Sequence, residues 1–160
     1  MISRRVVLAL PAFAFVAPTA AQALWLKVEG PERAFTFELP ATPEYKVKDG
    51  LHSYSLLRGE IEYVVQSVVV ASGEPRAVLQ ESIDVTAGYL AGGKWTRVDW
   101  LEVQGAPAVD ATGPMRTGET VRNLLAMRGC RLVSLGLRWP LGVGRFPDAQ
   151  RFFASLKFAA

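Results

Sequence analysis

Catalysis near neutral pH needs a positioned base, and this chain of 160 residues carries a single histidine, His52, with Asp49, Ser53 and Ser55 close by in sequence. Side chains along one extended segment point in alternating directions, so these neighbours do not converge as a nucleophile, a base and an orienting acid must. His52 reads as an exposed loop or strand histidine, and a hydrolase ranks third among the function classes. Glu60 and Glu62 fall on one face of a strand, but paired-acid glycoside chemistry needs a pocket that the pattern does not supply. A solvated strand end accounts for them. Gly142-Val143-Gly144 looks like a fragment of a phosphate loop, yet it lacks the remaining glycine spacing and the Lys-Ser or Lys-Thr pair, and reads as a turn before the last helix. One histidine and one cysteine, remote in sequence, do not build a tetrahedral zinc site. No catalytic, cofactor-binding or metal-ligating residue is assigned, no cofactor is expected, and the chain is read as a non-enzyme.

Cys130 is the only cysteine, which excludes an internal disulfide. At the start of an apolar strand pattern it reads as a small buried hydrophobe, with an intermolecular disulfide as the alternative. The tryptophans Trp25, Trp95, Trp100 and Trp139 read as core or sheet packing, with an apolar ligand pocket as the alternative. The segment Trp139-Pro140-Leu141-Gly142-Val143-Gly144 differs, because it is an apolar connection at a place where a surface loop is expected. Flanked by arginines, it suits contact with a protein partner. Arg138, Trp139, Leu141, Val143 and Arg145 are therefore the candidate partner site.

The first residues fix the compartment. Arg4 and Arg5 precede an apolar run from Val6 to Ala17, and Pro18 leads into small residues in which Ala21-x-Ala23 fits a signal-peptidase site. Residues 1–23 are read as a cleavable signal peptide and 24–160 as one mature domain. The apolar run falls short of the roughly 20 residues that span a bilayer in helix, and no cysteine near the cut offers a thiol for lipid. The expected product is soluble and periplasmic. Ser3-Arg4-Arg5-Val6-Val7-Leu8 also resembles the twin-arginine export signal, with Val7 where Phe is preferred, so both export routes stay open.

Cleavage removes two arginines and no acid, leaving 16 basic against 15 acidic residues. A nearly neutral protein without a concentrated basic face is no nucleic-acid binder. The charge is nevertheless uneven: residues 24–114 hold 8 basic and 13 acidic side chains, and residues 115–160 hold 8 and 2. Either the halves pack together and their charges meet across strands, or Arg116, Arg122, Arg128, Arg131 and Arg138 line one face for an anionic ligand or lipid surface.

These residues need elements to position them. Strands are expected at 24–29, 34–39, 45–48, 53–57, 61–71, 97–104, 106–112, 119–127 and 131–139, with Gly30-Pro31 and Arg128-Gly129 as turns. The run Ile61 to Ala71 is apolar on both alternating faces, as in a central strand covered on both sides. Its covering layers are expected from two helices. One spans about Pro75 to Ala91 with a stripe of Leu79, Ile83, Ala87 and Leu90, ended by Gly92-Gly93; the other starts near Pro147 with Ala149, Phe152, Phe153 and Leu156. Short connections make the sheet mainly antiparallel, and the class is α+β.

Phe35-x-Phe37-x-Leu39-Pro40, a helix after a long apolar strand, Gln104-Gly105-Ala106-Pro107-Ala108, the hairpin ending in Arg131-Leu132-Val133 and the terminal Phe152-Phe153-Ala154-Ser155-Leu156-Lys157-Phe158 resemble the PsbP/Mog-like α/β/α sandwich. The resemblance spans nearly all of the mature region and rests on core and turn signatures. Proteins of that fold include lumenal extrinsic subunits of photosystem II, a Ran-binding nuclear protein and small exported bacterial proteins of unknown role. The resemblance implies an accessory or binding domain without a common active site, and no functional residue carries over.

The expected function is a non-catalytic exported domain that contacts a protein partner in the cell envelope, with a peripheral membrane contact left open. The alternative is a binder of a small apolar or anionic ligand. A cavity of about 300 Å³ or more between sheet and helix would favour the ligand, and an exposed apolar patch over a filled interior the partner.

Overall fold

The computed structural model describes residues 24–71, 73–143 and 147–160; the expected leader, 1–23, lies outside them. The chain runs β1 (Leu26–Glu29), β2 (Phe35–Leu39), β3 (Glu44–Lys48), β4 (Leu51–Arg58), β5 (Ile61–Val69), α1 (Pro75–Ala87), β6 (Arg97–Val103), β7 (Ala106–Pro114), β8 (Glu119–Arg128), β9 (Arg131–Pro140), α2 (Pro147–Ala154) and β10 (Lys157–Phe158). The large sheet has the order β3-β4-β5-β9-β8-β7-β6 and is antiparallel throughout. It consists of two meanders, β3 to β5 and β6 to β9, joined where β5 and β9 pair in the middle. Four of its five hairpins close with two-residue turns, and residues 115–118 join β7 to β8. At Asp49-Gly50 both residues have positive φ (50° and 79°), the geometry whose twist matches the flanking strands. At the β8–β9 end the turn is Gly129-Cys130, one residue later than expected, because Gly129 takes the positive φ (59°) and Arg128 pairs with Arg131. Cys130 is therefore exposed in a turn rather than buried in a strand. Glu60 likewise sits in the β4–β5 turn, off the strand face that Glu62 occupies.

Period-two alternation sorts the large sheet into two faces. Tyr54, Tyr63, Val65, Leu124, Ala126, Val133, Leu135 and Leu137 turn to the first face and form the main core. The layer over them is not helix alone, as the sequence suggested, but a second sheet, β1-β2-β10, together with α2. The reason is the alternation in β2: Phe35, Phe37 and Leu39 are all fully buried, and the strand pairs on both sides, with β1 and with β10. Phe152 of α2 meets Tyr63 edge to face at 5.2 Å, and Ser155 ties α2 to β2 by accepting from the Glu38 N–H at 2.9 Å.

The opposite face carries α1. Glu74 caps it, its carboxylate accepting from the N–H groups of Arg76 and Ala77 at 3.1 and 2.8 Å, and Pro75 fits the first turn. The helix stops at Ala87, earlier than Gly92. The N–H groups of Tyr89 and Leu90 bond three residues back, to Thr86 and Ala87, which tightens the chain into a turn that drops Leu90 against Met115 of the sheet. Leu79 and Ile83 pack on Val109, Ala111, Leu125 and Met127, so α1 lies chiefly over β7 and β8, with Leu132 of β9 and Val70 at the margin of that cluster.

Charges of the two halves meet. Arg131 pairs with Glu32 at 2.9 Å, Arg151 with Glu38 at 2.9 Å, Arg138 with Glu62, and Arg122 donates to Asp110 through Nε at 2.9 Å. Arg128 instead lies over the ring of Phe158, and Arg116 donates to the Leu90 carbonyl. Arg122 and Arg131 stand on the face opposite Arg138, so the five arginines do not line one face.

Candidate functional site

Because α1 packs chiefly over β7 and β8, a groove of about 370 Å³ lies between the helix and the centre of the sheet. Its floor is Val64 and Gln66 of β5, Ser134 and Gly136 of β9, and Asn123 and Leu125 of β8. The register brings these together: Gln66 and Leu125 stand opposite Ser134, and Val64 and Asn123 opposite Gly136. Ser82 and Thr86 of α1 form the wall, with their hydroxyls turned back on the helix, donating to the carbonyls of Val78 and Ser82 at 2.8 and 2.9 Å. Tyr89, Leu90 and Met115 line one part of the rim, and Leu51, Val68 and Leu132 another.

Two features make the floor more than an uncovered sheet. Gly136 leaves it low at its centre: a Cβ there would meet Asn123 Oδ1 at 2.9 Å and the Val64 carbonyl at 3.7 Å. A glycine inside a strand marks a place where something approaches the backbone closely. In addition, the side chains of Gln66, Asn123 and Ser134 make no hydrogen bond among the described residues, although each lines the groove. Among the described residues the one charged lining group, Arg138, is paired with Glu62.

Of the five residues expected to meet a partner, four are described. Arg138 points into the end of the groove, whereas Trp139, next along the strand, faces the other way and packs against the main core. Leu141 and Val143 are exposed, at 68% and 42%, in the turn that follows β9. Arg145, and Gly144 of the glycine pair, lie outside the described residues. The other tryptophans pack: Trp25 is edge-on to Tyr63, Trp95 donates to the Ile83 carbonyl at 2.9 Å, and Trp100 lies under Arg76. His52 is held by Tyr45, whose hydroxyl is 2.7 Å from Nδ1; Ser53 and Ser55 point to the opposite face, and Asp49 is in the hairpin turn. Among the described residues no three His, Cys, Asp or Glu side chains gather as metal ligands, and no helix is long and apolar enough to cross a membrane.

Sequence reasoning did not single out Gln66, Asn123, Ser134 or Gly136. A polar or small residue at every second position of a strand reads as a solvated face. The signal that was available is Val64 and Val68 flanking Gln66, apolar positions on a face that α1 does not cover.

No family profile and no curated protein matches this sequence. Two solved structures are similar in fold. One is a crystal structure from Bacteroides thetaiotaomicron VPI-5482, with a TM-score of 0.55 and 9% identity over 84% of this chain; the match covers 48% of that chain, about half its length. The other is the solution structure of cyanobacterial PsbP (CyanoP) from Synechocystis sp. PCC 6803, with a TM-score of 0.60 and 11% identity, covering 89% of this chain and 97% of that one. At such identities the likeness is one of architecture, and the chain has the PsbP-like fold.

Proposed function

We propose that this chain is an exported binding domain that holds a small, mostly apolar molecule in the groove between α1 and the central strands. The groove carries the reading: at about 370 Å³ it exceeds the roughly 300 Å³ from which ligand pockets begin. Its floor is built in register from three strands and is deepened by Gly136. On the opposite face β2 and α2 fill the middle with Phe35, Phe37 and Phe152, and its hollows, of about 690 and 420 Å³, lie toward the two ends of the sheet, beside β1 and β4 and beside β6 to β8. Export into the periplasm is supported by the pattern of residues 1–23, and the accessory role by the fold. The test is native mass spectrometry of the protein isolated gently from its host's envelope. We expect a reproducible added mass of a few hundred daltons, the scale of a pocket-sized ligand, and its loss in Gly136→Val. A bare chain in both preparations would overturn the reading.

Contact with a protein partner is the second reading, supported by exposed Leu141 and Val143. Its test is Leu141→Ser with Val143→Ser, since Trp139 is tied to the core and its removal would disturb the fold. Capture of an envelope protein that survives both changes would rule this turn out as the contact.

A further inference from the structure

We propose, resting on the groove reading above, that the groove selects an uncharged ligand: an apolar body bearing one head group that both donates and accepts hydrogen bonds, such as a carboxamide or an alcohol. The polar side chains with unused capacity on the floor are two amides and a hydroxyl, Gln66, Asn123 and Ser134. Adjacent in the ladder, they offer N–H and O–H donors and carbonyl acceptors within one small patch, the complement of a head group that does both. Apolar side chains lie to either side, Val68 and Leu132 toward one end and Val121 and Met115 toward the other.

A charged head group finds no such complement. Arg138 is the only ionised side chain among the described residues of the lining, and Glu62 already neutralises it. A carboxylate would have to displace Glu62 or lose its hydration without gaining a cation, and an ammonium group would meet Arg138. The hydroxyls of Ser82 and Thr86 face helix carbonyls and cannot compensate.

The experiment uses three probes of equal chain length, decanamide, decanoate and decylammonium, each below its micelle concentration. They are titrated calorimetrically against the purified protein and its Gly136→Val, Asn123→Leu and Glu62→Gln variants, with circular dichroism confirming that each variant is folded. We expect the amide to bind at least about tenfold more tightly than either ion, a difference set by the uncompensated charge. Gly136→Val should abolish binding, and Asn123→Leu should weaken the amide. Glu62→Gln, which frees Arg138, should bring decanoate level with the amide. Decanoate binding as tightly as the amide to the unaltered protein, and lost in Gly136→Val, overturns the neutral-ligand inference while sustaining the groove. If no probe binds, or if Gly136→Val binds as the parent does, the groove reading itself falls.

Discussion

Asp110 is one of two polar residues buried among the described residues, and Arg122 is what makes its burial tolerable. The guanidinium reaches both carboxylate oxygens, with Nε at 2.9 and 3.2 Å, and stacks 4.3 Å over the ring of Phe153, so the pair belongs to the packing of α2 on the sheet. Removing one partner of such a pair leaves a largely desolvated charge, and Asp110→Ala is expected to cost about 2–4 kcal/mol in urea unfolding. Arg97 is mostly exposed and reaches Asp110 only at 4.0 Å, so Arg97→Ala should cost far less. Equal losses would show that the Asp110–Arg122 pair has no special standing. The phenols of Tyr54 and Tyr63 make a second residue-scale case. Burial, chiefly, pushes both up to about 12 from the usual 10.0, with Tyr45 adding to the rise at Tyr54 and Asp148 at Tyr63. The unfolded chain gives up these protons near pH 10 while the folded chain keeps them, so the unfolded state binds fewer protons and stability falls as pH rises from about 10 to about 12. Below pH 10 the contribution is complete. Tyr54→Phe, whose hydroxyl makes only a 3.4 Å bond to the Glu29 carbonyl, should flatten part of that decline. An unchanged slope in denaturation curves taken across the interval would remove Tyr54 as a cause.

At the scale of elements, α2 has eight residues and could not persist alone in water. It is held by Phe152, fully buried against Tyr63, and by Phe153 beside it, the aromatic part of the stripe that Ala149, Phe152, Phe153 and Leu156 display at i, i+3, i+4 and i+7 in the sequence. Phe152→Ala is expected to cost about 3–5 kcal/mol in equilibrium unfolding; a loss under about 1 kcal/mol would mean that β10 and β2 retain this end of the chain without the helix. The same stripe shows why much of the fold was legible. Alternation in β2, β5 and β9 and the turn residues of the hairpins are local signals, and they placed these strands to within a few residues. What was not legible depends on partners distant in sequence. The two-residue strand β10 exists because β2 has a second edge to satisfy, and the Phe158 N–H finds Gln104 across the molecule at 2.6 Å. The early end of α1 follows from Leu90 being drawn down onto Met115, and no periodicity within 75–91 announces it. Of the candidate site only Arg138 was singled out for function in advance, toward a protein partner or an anionic ligand, while Leu90 was read as helix packing. A groove floor assembled from alternate residues of three strands becomes visible only when the register is known.

At the scale of the whole molecule the two faces of the large sheet are unequally covered. Among the described residues one carries a second sheet and a helix that share with it a cluster of seventeen buried side chains, the other a single helix that shares a cluster of six. The central strand β5 is apolar on both faces, and that sequence pattern called for two layers; the second is only half present, since α1 reaches β7 and β8 and stops short of β5. A bound apolar molecule over Val64, Val68 and Leu132 would complete it. Fewer buried contacts make α1 freer to open without global unfolding than the central strands beneath it, because local opening energies follow local burial. In hydrogen exchange, the amides of Leu79 to Ala87 should therefore exchange ahead of those in β5, β8 and β9, although all are hydrogen-bonded. A ligand seated against Ser82 and Thr86 would add contacts to the helix wall and to the floor together, and should slow α1 more than it slows β2 or α2 on the filled face. If α1 exchanges as slowly as β9 in the free protein, the uncovered half of the sheet is not a point of lower stability. If a bound probe slows both faces equally, it acts on global stability rather than at the groove. The exchange pattern thus separates a molecule that completes the unfinished layer from one that binds elsewhere.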